Sequence, residues 1–415
     1  MFSNERPRLA GSAALCLALG ALTTPAHATE GYFALAYGTA QRGVAGAGVA
    51  YSQDAMSGAI NPASLAAVGH EFSLGAELFS PSRGFTGTGT GFVAGGEVTS
   101  GHDYFIVPNM AYNHPLANGA VLNIAVYGNG GMNTSYPDVA NPACGYFGGG
   151  SGVFCGGKAG VDLTQLFVSA TYAQSHGALS WGISPTLAVQ GFSARGLGAF
   201  GVTAAGLDTS TGAGLRAGVQ YKLSEQLKLG LSGQTRFQMS KFDDYASLFE
   251  DGGAFDIPAS VTAGLAWHPR PDVTLMLDYQ RIFYSAVGAV GNATDAGPMG
   301  APGGAGFGWD DVNVLRLGAE WQQSPDMTWR VGYAHATNPV GPEDVSLNIL
   351  APGIVQDHVS VGGSRRIGDN DRIDFSMSYV FENTVTGSLP PSMGGGTVEL
   401  EMDQLSAAIG WTHRF

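Results

Sequence analysis

The last twelve residues constrain this chain most: from Gln404 to Phe415 they read QLSAAIGWTHRF. Leu405, Ala407, Ile409, Trp411, His413 and Phe415 share one face of a strand. Gln404, Ser406, Ala408, Gly410, Thr412 and Arg414 share the other. A period of two, apolar on one face and small or polar on the other, ending on an aromatic, fits the closing strand of an outer-membrane β-barrel. It equally fits the last strand of a soluble sheet, so the rest of the chain must decide.

The other end agrees with the first reading. Arg6 and Arg8 precede an apolar stretch over 9–22, followed by Pro25-Ala26-His27-Ala28. A basic start, a short apolar core and an A-x-A site predict a cleaved secretory signal over residues 1–28, despite Glu5, with Thr29 as the first mature residue. Charged residues make up only 13% of the chain, against roughly 25% in ordinary soluble proteins. Beyond Leu22 no run of 18 apolar residues follows, so no helical span is expected. A secreted chain poor in charge, rich in glycine and aromatics, and without a spanning helix suits a membrane barrel. There, half of each strand faces lipid and half a lumen. A soluble glycine-rich adhesin or a β-solenoid is the bland alternative. The net charge of −14 argues against nucleic acid as a partner.

Three cysteines are present. Cys16 lies in the signal core after Leu15, where a lipidation site would want a small residue, so a lipoprotein is not expected. Cys144 and Cys155 flank GYFGGGSGVF. In an oxidising compartment such a pair most simply forms one loop disulfide, and too few Cys or His lie nearby for a metal site. Gly43, Gly46 and Gly48 superficially suggest a nucleotide-binding loop, but Tyr51 stands where its third glycine belongs and no buried strand precedes it. No Walker-type phosphate loop and no Gly-x-Ser-x-Gly elbow is present. Neither a cofactor nor an enzyme is expected, and transport, if any, is passive. His102, His114 and His176 fall near strand ends.

Fourteen strand-like windows can be read along the chain: 71–81, 102–114, 120–129, 161–176, 178–190, 212–223, 227–238, 255–268, 273–285, 311–323, 327–336, 356–367, 372–381 and 401–415. Short turns and long loops join them in strict alternation. An even number of strands with turns on one side and loops on the other is the pattern of a bacterial outer-membrane barrel, its turns periplasmic and its loops extracellular. The fold expected is therefore all-β: a 14-stranded antiparallel transmembrane barrel.

The faces of these windows carry charge in a consistent way. Ile373, Phe375, Met377, Tyr379 and Phe381 oppose Asp374, Ser376 and Ser378. Leu315, Leu317 and Trp321 oppose Arg316 and Glu320; Trp329, Val331 and Tyr333 oppose Arg330; Leu275, Leu277 and Tyr279 oppose Asp278. A charge on the lipid face costs about 2–4 kcal/mol near the midplane, so Arg316, Glu320, Arg330, Asp374 and Asp278 are expected to point inward. There they either pair with one another or meet a ligand.

Residues 29–69 fit no wall. This stretch is rich in Gly and Ala, poor in alternation, and too apolar for a disordered tail. A small-residue plug threaded inside the barrel accounts for both properties. Within it, Asp54 to Leu65 (DAMSGAINPASL) carries Asn61-Pro62-Ala63. That run resembles the amino-terminal hatch of the FadL family of outer-membrane transporters for long-chain fatty acids and other hydrocarbons. Phe255-Asp256-Ile257-Pro258-Ala259-Ser260 with Gly264 is similar to the family's Pro-Ser strand start. Trp329-Arg330-Val331-Gly332-Tyr333, Asn338-Pro339, the run Asn348 to Gly353, and His358 are similar to its carboxy-terminal third. Ser64 departs from the glycine the family commonly places after the triplet. The resemblance spans essentially the whole mature chain.

The resemblance implies a hatch over 29–69 marked by Asn61, Pro62 and Ala63, and a barrel over 70–415. It implies capture of a hydrophobic ligand by extracellular loops, passage beside the hatch, and sideways exit near a kink in the third strand. Tyr127-Gly128-Asn129-Gly130-Gly131 ends the third window, so Gly128, Gly130 and Gly131 are the residues for such a kink; the same glycines could simply begin a loop. Phe192, Leu197 and Phe200 in one loop region, and Tyr245, Leu248 and Phe249 in another, are apolar among polar neighbours and are candidates for capture, or for packing loop on loop. Expected partners are outer-membrane lipid, lipopolysaccharide and, through Phe415, the barrel-assembly machinery of a Gram-negative cell, with the barrel itself a monomer. A non-selective porin or structural barrel is the competing function, though it has no use for an apolar 29–69 segment.

Overall fold

Hydrogen bonding between strands runs right round this molecule and closes on itself. The structure, a computed structural model, describes residues 30–147, 149–203 and 206–415; the expected signal peptide, with its cleavage before Thr29, lies outside the described residues. Sixteen strands pair into one antiparallel sheet. Two are short flaps on the loop side: Gly96–Thr99 lies against the first wall strand and Gln238–Met239 against the sixth.

The other fourteen form the wall. They are β1 (Glu71–Thr88), β2 (Phe105–Pro115), β3 (Ala120–Asn133), β4 (Gly160–His176), β5 (Leu179–Arg195), β6 (Asp208–Lys222) and β7 (Leu227–Gln234). They continue as β8 (Ser260–Arg270), β9 (Val273–Ile282), β10 (Val312–Ser324), β11 (Met327–Ala336), β12 (Asp357–Ile367), β13 (Asp371–Ser388) and β14 (Thr397–Arg414). Each pairs with the next, and β14 returns to β1 in unbroken register from Glu71↔Arg414 to Thr88↔Thr397. Closure removes the two outer edges that an open sheet would present to another chain. Turns of two to four residues alternate with much longer loops.

The wall shows two solvents. On β14, Leu405, Ile409 and Trp411 are 41%, 62% and 37% exposed, while Gln404 and Ser406 are 0% and 4%. Leu74, Leu78, Ile124, Leu317, Val331, Val361 and Phe375 continue the same exposed apolar face around the barrel. A band of that extent is stable only against lipid. Among the described residues no helix is long and apolar enough to cross a membrane.

Several strands outrun the windows read from the sequence. β1 continues to Thr88, β13 to Ser388, and β14 begins at Thr397. Above the lipid the outer face meets water, so the apolar-out pattern stops while the ladder goes on; Thr386 there bonds Glu399 at 2.9 Å across an exposed pair. Elsewhere the windows overshoot. Phe255, Ile257 and Tyr284 are fully buried but precede β8 or follow β9. Their hydrophobicity serves the loop interior, not the ladder.

The main apolar core lies inside the barrel rather than between layers. Residues 30–69 run through the lumen, with only short helical turns at Thr39–Arg42, Ala55–Ala59 and Pro62–Ala67. Tyr32, Phe33 and Leu35 of this segment join Phe85, Phe154, Phe192, Phe255, Tyr284 and Trp309 in one buried cluster toward the loops.

Candidate functional site

The inner segment is held by polar groups that the wall projects inward. Asp278 on β9 accepts both Gly48 N and Val49 N on one carboxylate oxygen, at 2.7 and 2.9 Å. Glu71 on β1 accepts Ala55 N at 2.6 Å. Asn61 precedes the Pro62–Ala67 turn and accepts Ala63 N at 3.0 Å. Its amide donates to Val49 O at 2.7 Å and to Val219 O of β6 at 3.2 Å, so it ties the segment to itself and to the wall. Gln220 on β6 donates to Ser64 Oγ at 2.7 Å. Ser64, which stands where the family commonly has glycine after the triplet, thus has a defined partner.

The inward charges are arranged as pairs and a chain. Arg316 on β10 does not meet Glu320 or Asp374. It grips Glu30 at the start of the segment, with Nε to Oε1 at 3.1 Å, and also bonds Gln280 at 2.6 Å. Burial raises the Glu30 carboxyl while the Arg316 guanidinium opposes the rise. Arg330 on β11 bonds Glu320 at 2.6 Å and lies 3.6 Å from Asp374. Asp374 also takes Arg372 at 3.0 Å, and Arg372 reaches Asp54 of the segment at 3.3 Å. Burial likewise raises Asp54, against the pull of Arg372. Arg42 of the segment pairs with Glu77 of β1 at 2.5 Å. Glu30, Arg42, Asp54 and Tyr51 (which donates to Glu320 at 2.7 Å) were not singled out from the sequence, because only the wall half of each pair sits in a readable alternation.

The third strand breaks at the glycines. β3 pairs with β2 only as far as Tyr127↔Asn109, and its register against β4 shifts between Gly128 and Gly130. Beyond that point the inner segment takes over the β2 side. Asn129 O accepts Ala34 N at 2.9 Å, Gly131 N donates to Tyr32 O at 2.9 Å, and Phe33 bridges to Gly130. Gly130 has φ +153°, and a Cβ there would come 1.7 Å from Tyr32 O, so only glycine fits. Among the described residues no strand ladder runs beside Ile106 to Pro108 of β2 on this side, and Pro108 has no N–H to pair. A small open pocket lies at this gap, lined by Val107, Pro108, Gly128 and Gly130 of the wall and residues 34–39 of the segment. Tyr284 fixes the segment here: its hydroxyl takes Tyr32 N and Phe33 N at 3.0 and 3.1 Å and donates to Glu30 O at 2.6 Å. Burial beside Tyr32 raises the Tyr284 phenol well above its ordinary value, keeping it protonated and able to donate.

The apolar loop residues converge. Phe192 lies in β5 rather than in a loop, and its ring packs edge-on against Tyr245 at 4.7 Å and Phe249 at 4.8 Å. Leu197 is buried with them in the same cluster, and Leu248 and Phe200 are partly buried against it. Phe200 also meets Phe92 and Phe154 at 5.5 and 5.2 Å. Cys144 and Cys155 form a disulfide with Cα atoms 5.2 Å apart, which closes the 134–159 loop on itself. On the turn side a larger cavity of about 220 Å³ is lined by Arg330, Arg366, Arg372, Arg414, Asp326, Asp369 and Asp371. Its lining is too polar to hold a hydrocarbon.

A closed fourteen-stranded barrel with a lipid-facing band and a filled lumen defines a transport protein of the outer membrane. The family model described as outer membrane protein transport protein (OMPP1/FadL/TodX) matches residues 201–412, and the chain belongs to that family. Its members are transport proteins rather than enzymes. Among solved structures, the Pseudomonas putida toluene transporter TodX aligns over 92% of this chain and 99% of its own, at 18% identity and a TM-score of 0.66. A Pseudomonas aeruginosa FadL homologue aligns over 93% and 100%, at 14% identity and a TM-score of 0.68. The Ralstonia pickettii toluene transporter TbuX aligns over 92% and 99%, at 19% identity and a TM-score of 0.63. At these identities the likeness is one of fold. No curated protein sequence matches the chain.

Proposed function

We propose that this chain is a passive carrier of hydrophobic molecules across the outer membrane, with residues 30–69 as its hatch and the gap beside β3 as its sideways exit. One observation carries this reading. Where β3 leaves β2, the missing wall strand is supplied by residues 32–34 of the inner segment. Movement of those few residues would open the wall itself and leave the ladders on either side intact. A ligand leaving there enters lipid without crossing a water-filled passage.

The loop aromatics Phe192, Tyr245 and Phe249, with Leu197, Phe200 and Leu248, form the capture surface. At rest they satisfy one another, and an arriving ligand exchanges those contacts for its own at roughly 0.8 kcal/mol per buried methylene. Asn61, Pro62 and Ala63 anchor the part of the hatch that stays. The solved relatives include toluene transporters, which fits a ligand class of hydrocarbons and their amphipathic derivatives. The double variant A34C/N129C tests the route in a deletion strain supplied with labelled hydrophobic substrates. Uptake should stop on oxidation and return on reduction. Uptake that continues through the cross-link overturns the exit; a deletion strain that takes up every such substrate as well as its parent overturns transport altogether.

A further inference from the structure

His114 is a histidine that the transport reading leaves without a role. In the β1–β2 ladder Glu71 stands opposite Asn113. One step nearer the turn side, His70 and His114 therefore face each other across the two strands, where Cβ atoms lie about 4.5–5.5 Å apart. Their rings meet edge-on, with centroids 4.9 Å apart and planes at 84°. His114 Nδ1 lies 3.4 Å from His70 Nε2, and the Tyr112 hydroxyl lies 2.8 Å from the same Nε2. A neutral imidazole nitrogen carries either one proton or one lone pair, so His70 Nε2 cannot make a full hydrogen bond to both neighbours. Other histidines of the barrel take an oxygen partner: His335 and His413 an aspartate, His268 a threonine. An interfacial aromatic belt accounts for Tyr112 and Phe415, but not for two imidazole nitrogens aimed at each other.

Two imidazole lone pairs at this separation suit one shared cation. With Zn–N bonds of about 2.0–2.1 Å, nitrogens 3.4 Å apart set an N–Zn–N angle of about 110°, the tetrahedral value. Imidazole suits zinc and its first-row neighbours. We propose that His70 Nε2 and His114 Nδ1 bind one divalent transition cation of the zinc class, with the Tyr112 hydroxyl and water completing its shell. Among the described residues no three of His, Cys, Asp and Glu gather at one point, so the site has two imidazoles and stays open to water. His114 is exposed and His70 half-buried, which gives the ion a path of entry. The place has a consequence for the barrel. His70 directly follows the inner segment, and its carbonyl accepts Phe415 N at 3.0 Å. Asn113, between Tyr112 and His114, donates to Val68 O and Gly69 O at 2.9 Å each. A cation on the pair clamps β2 to the point where the segment leaves the lumen, beside the seam where β14 closes on β1. This is independent of what the lumen carries.

The test titrates the full-length barrel with Zn²⁺ by calorimetry in neutral detergent, after chelator treatment and with no histidine tag on the chain. Wild type should bind one equivalent. H70Q and H114Q should each weaken that binding by at least the about 10-fold that loss of a merely supporting group costs. H335Q, in an exposed His–Asp pair at the loop side, should leave it unchanged. Co²⁺ added to wild type should gain visible absorption that the aqueous ion lacks. Zinc binding of equal strength in wild type and in the double variant H70Q/H114Q, or a Co²⁺ spectrum identical to that of the aqueous ion, overturns the site. The Co²⁺ measurement needs no variant, so a folding defect in H70Q or H114Q cannot shelter the proposal.

Discussion

Asp278→Ala should unfasten the middle of the inner segment while leaving the barrel closed. The Asp278 side chain is fully buried, and one of its oxygens accepts both Gly48 N and Val49 N. Removing it strands two buried N–H groups, each worth about 1–3 kcal/mol in desolvation. Because both bonds share one oxygen, the two losses overlap, and about 2–4 kcal/mol is a reasonable total. At about 1.4 kcal/mol per factor of ten, local opening becomes about 30- to 1,000-fold more frequent. Val49 O keeps its bonds from Asn61 and Gln220, at 2.7 and 3.0 Å, so the opening stays local. Hydrogen exchange of a peptide spanning residues 44–56 should accelerate by that factor, and planar-bilayer recordings should show brief openings absent from wild type. Exchange of the β8, β9 and β10 peptides should not change, since their ladder bonds are untouched. Asp278→Asn, which keeps an acceptor, should recover much of the protection. If D278A exchanges as slowly as wild type at 48–49, the wall carboxylate is not what fastens the segment.

Two further outcomes follow from the same contacts. Arg316→Gln leaves the Glu30 carboxyl buried without its cation, a loss of about 3–5 kcal/mol that Glu30→Gln in the same chain should largely restore, read as exchange of residues 30–37. With Arg316 gone, burial alone acts on Glu30 and raises it further. Docking of that end in R316Q should therefore be firmest in acid and weaken as the pH rises from the ordinary carboxylate range through the raised folded value. Reducing Cys144–Cys155, 11 residues apart in sequence, should loosen the 141–157 loop by about 3 kcal/mol. Exchange should quicken there without lowering the melting temperature of the wall; a wall that melts earlier would mean the loop braces the barrel.

The wall was readable because each strand lies between two media. Ile409 against Ser406, or Leu317 against Arg316, is a local contrast that survives in the order of residues. Strand ends were less readable where the outer medium changes from lipid to water, as at Thr88 and Ser388. The bulge could be placed at Gly128 to Gly131 because glycine is a local signal, but that residues 32–34 fill the gap is a contact across about 100 positions. Pairings of that kind leave no periodic trace. Arg316 pairs with Glu30 of the inner segment, where no alternation marks an inward charge. The loop aromatics could be read as apolar, yet not as packed on one another, because packing between loops follows no repeat.

The wall glycines tie these levels together. Gly182, Gly218, Gly230 and Gly332 stand at buried positions on β5, β6, β7 and β11. A Cβ on them would come 2.6 Å from Pro62 C, 2.0 Å from Asn61 Oδ1, 2.4 Å from Val49 O and 2.1 Å from Val44 C. No side chain fits at those distances, and each of the four contacts is made by the inner segment. A barrel that conducts through an open lumen gains nothing from inward glycines, since larger polar residues would keep its wall stiffer. The small residues of the segment and the bare patches of the wall are two halves of one surface. At three of these four sites backbone lies on backbone, and there the middle of the segment is held by hydrogen bonds from Asp278, Asn61 and Gln220. Such an interface excludes water when closed, yet few polar contacts hold this middle stretch, so it can shift with little to break, which is the behaviour a moving hatch requires.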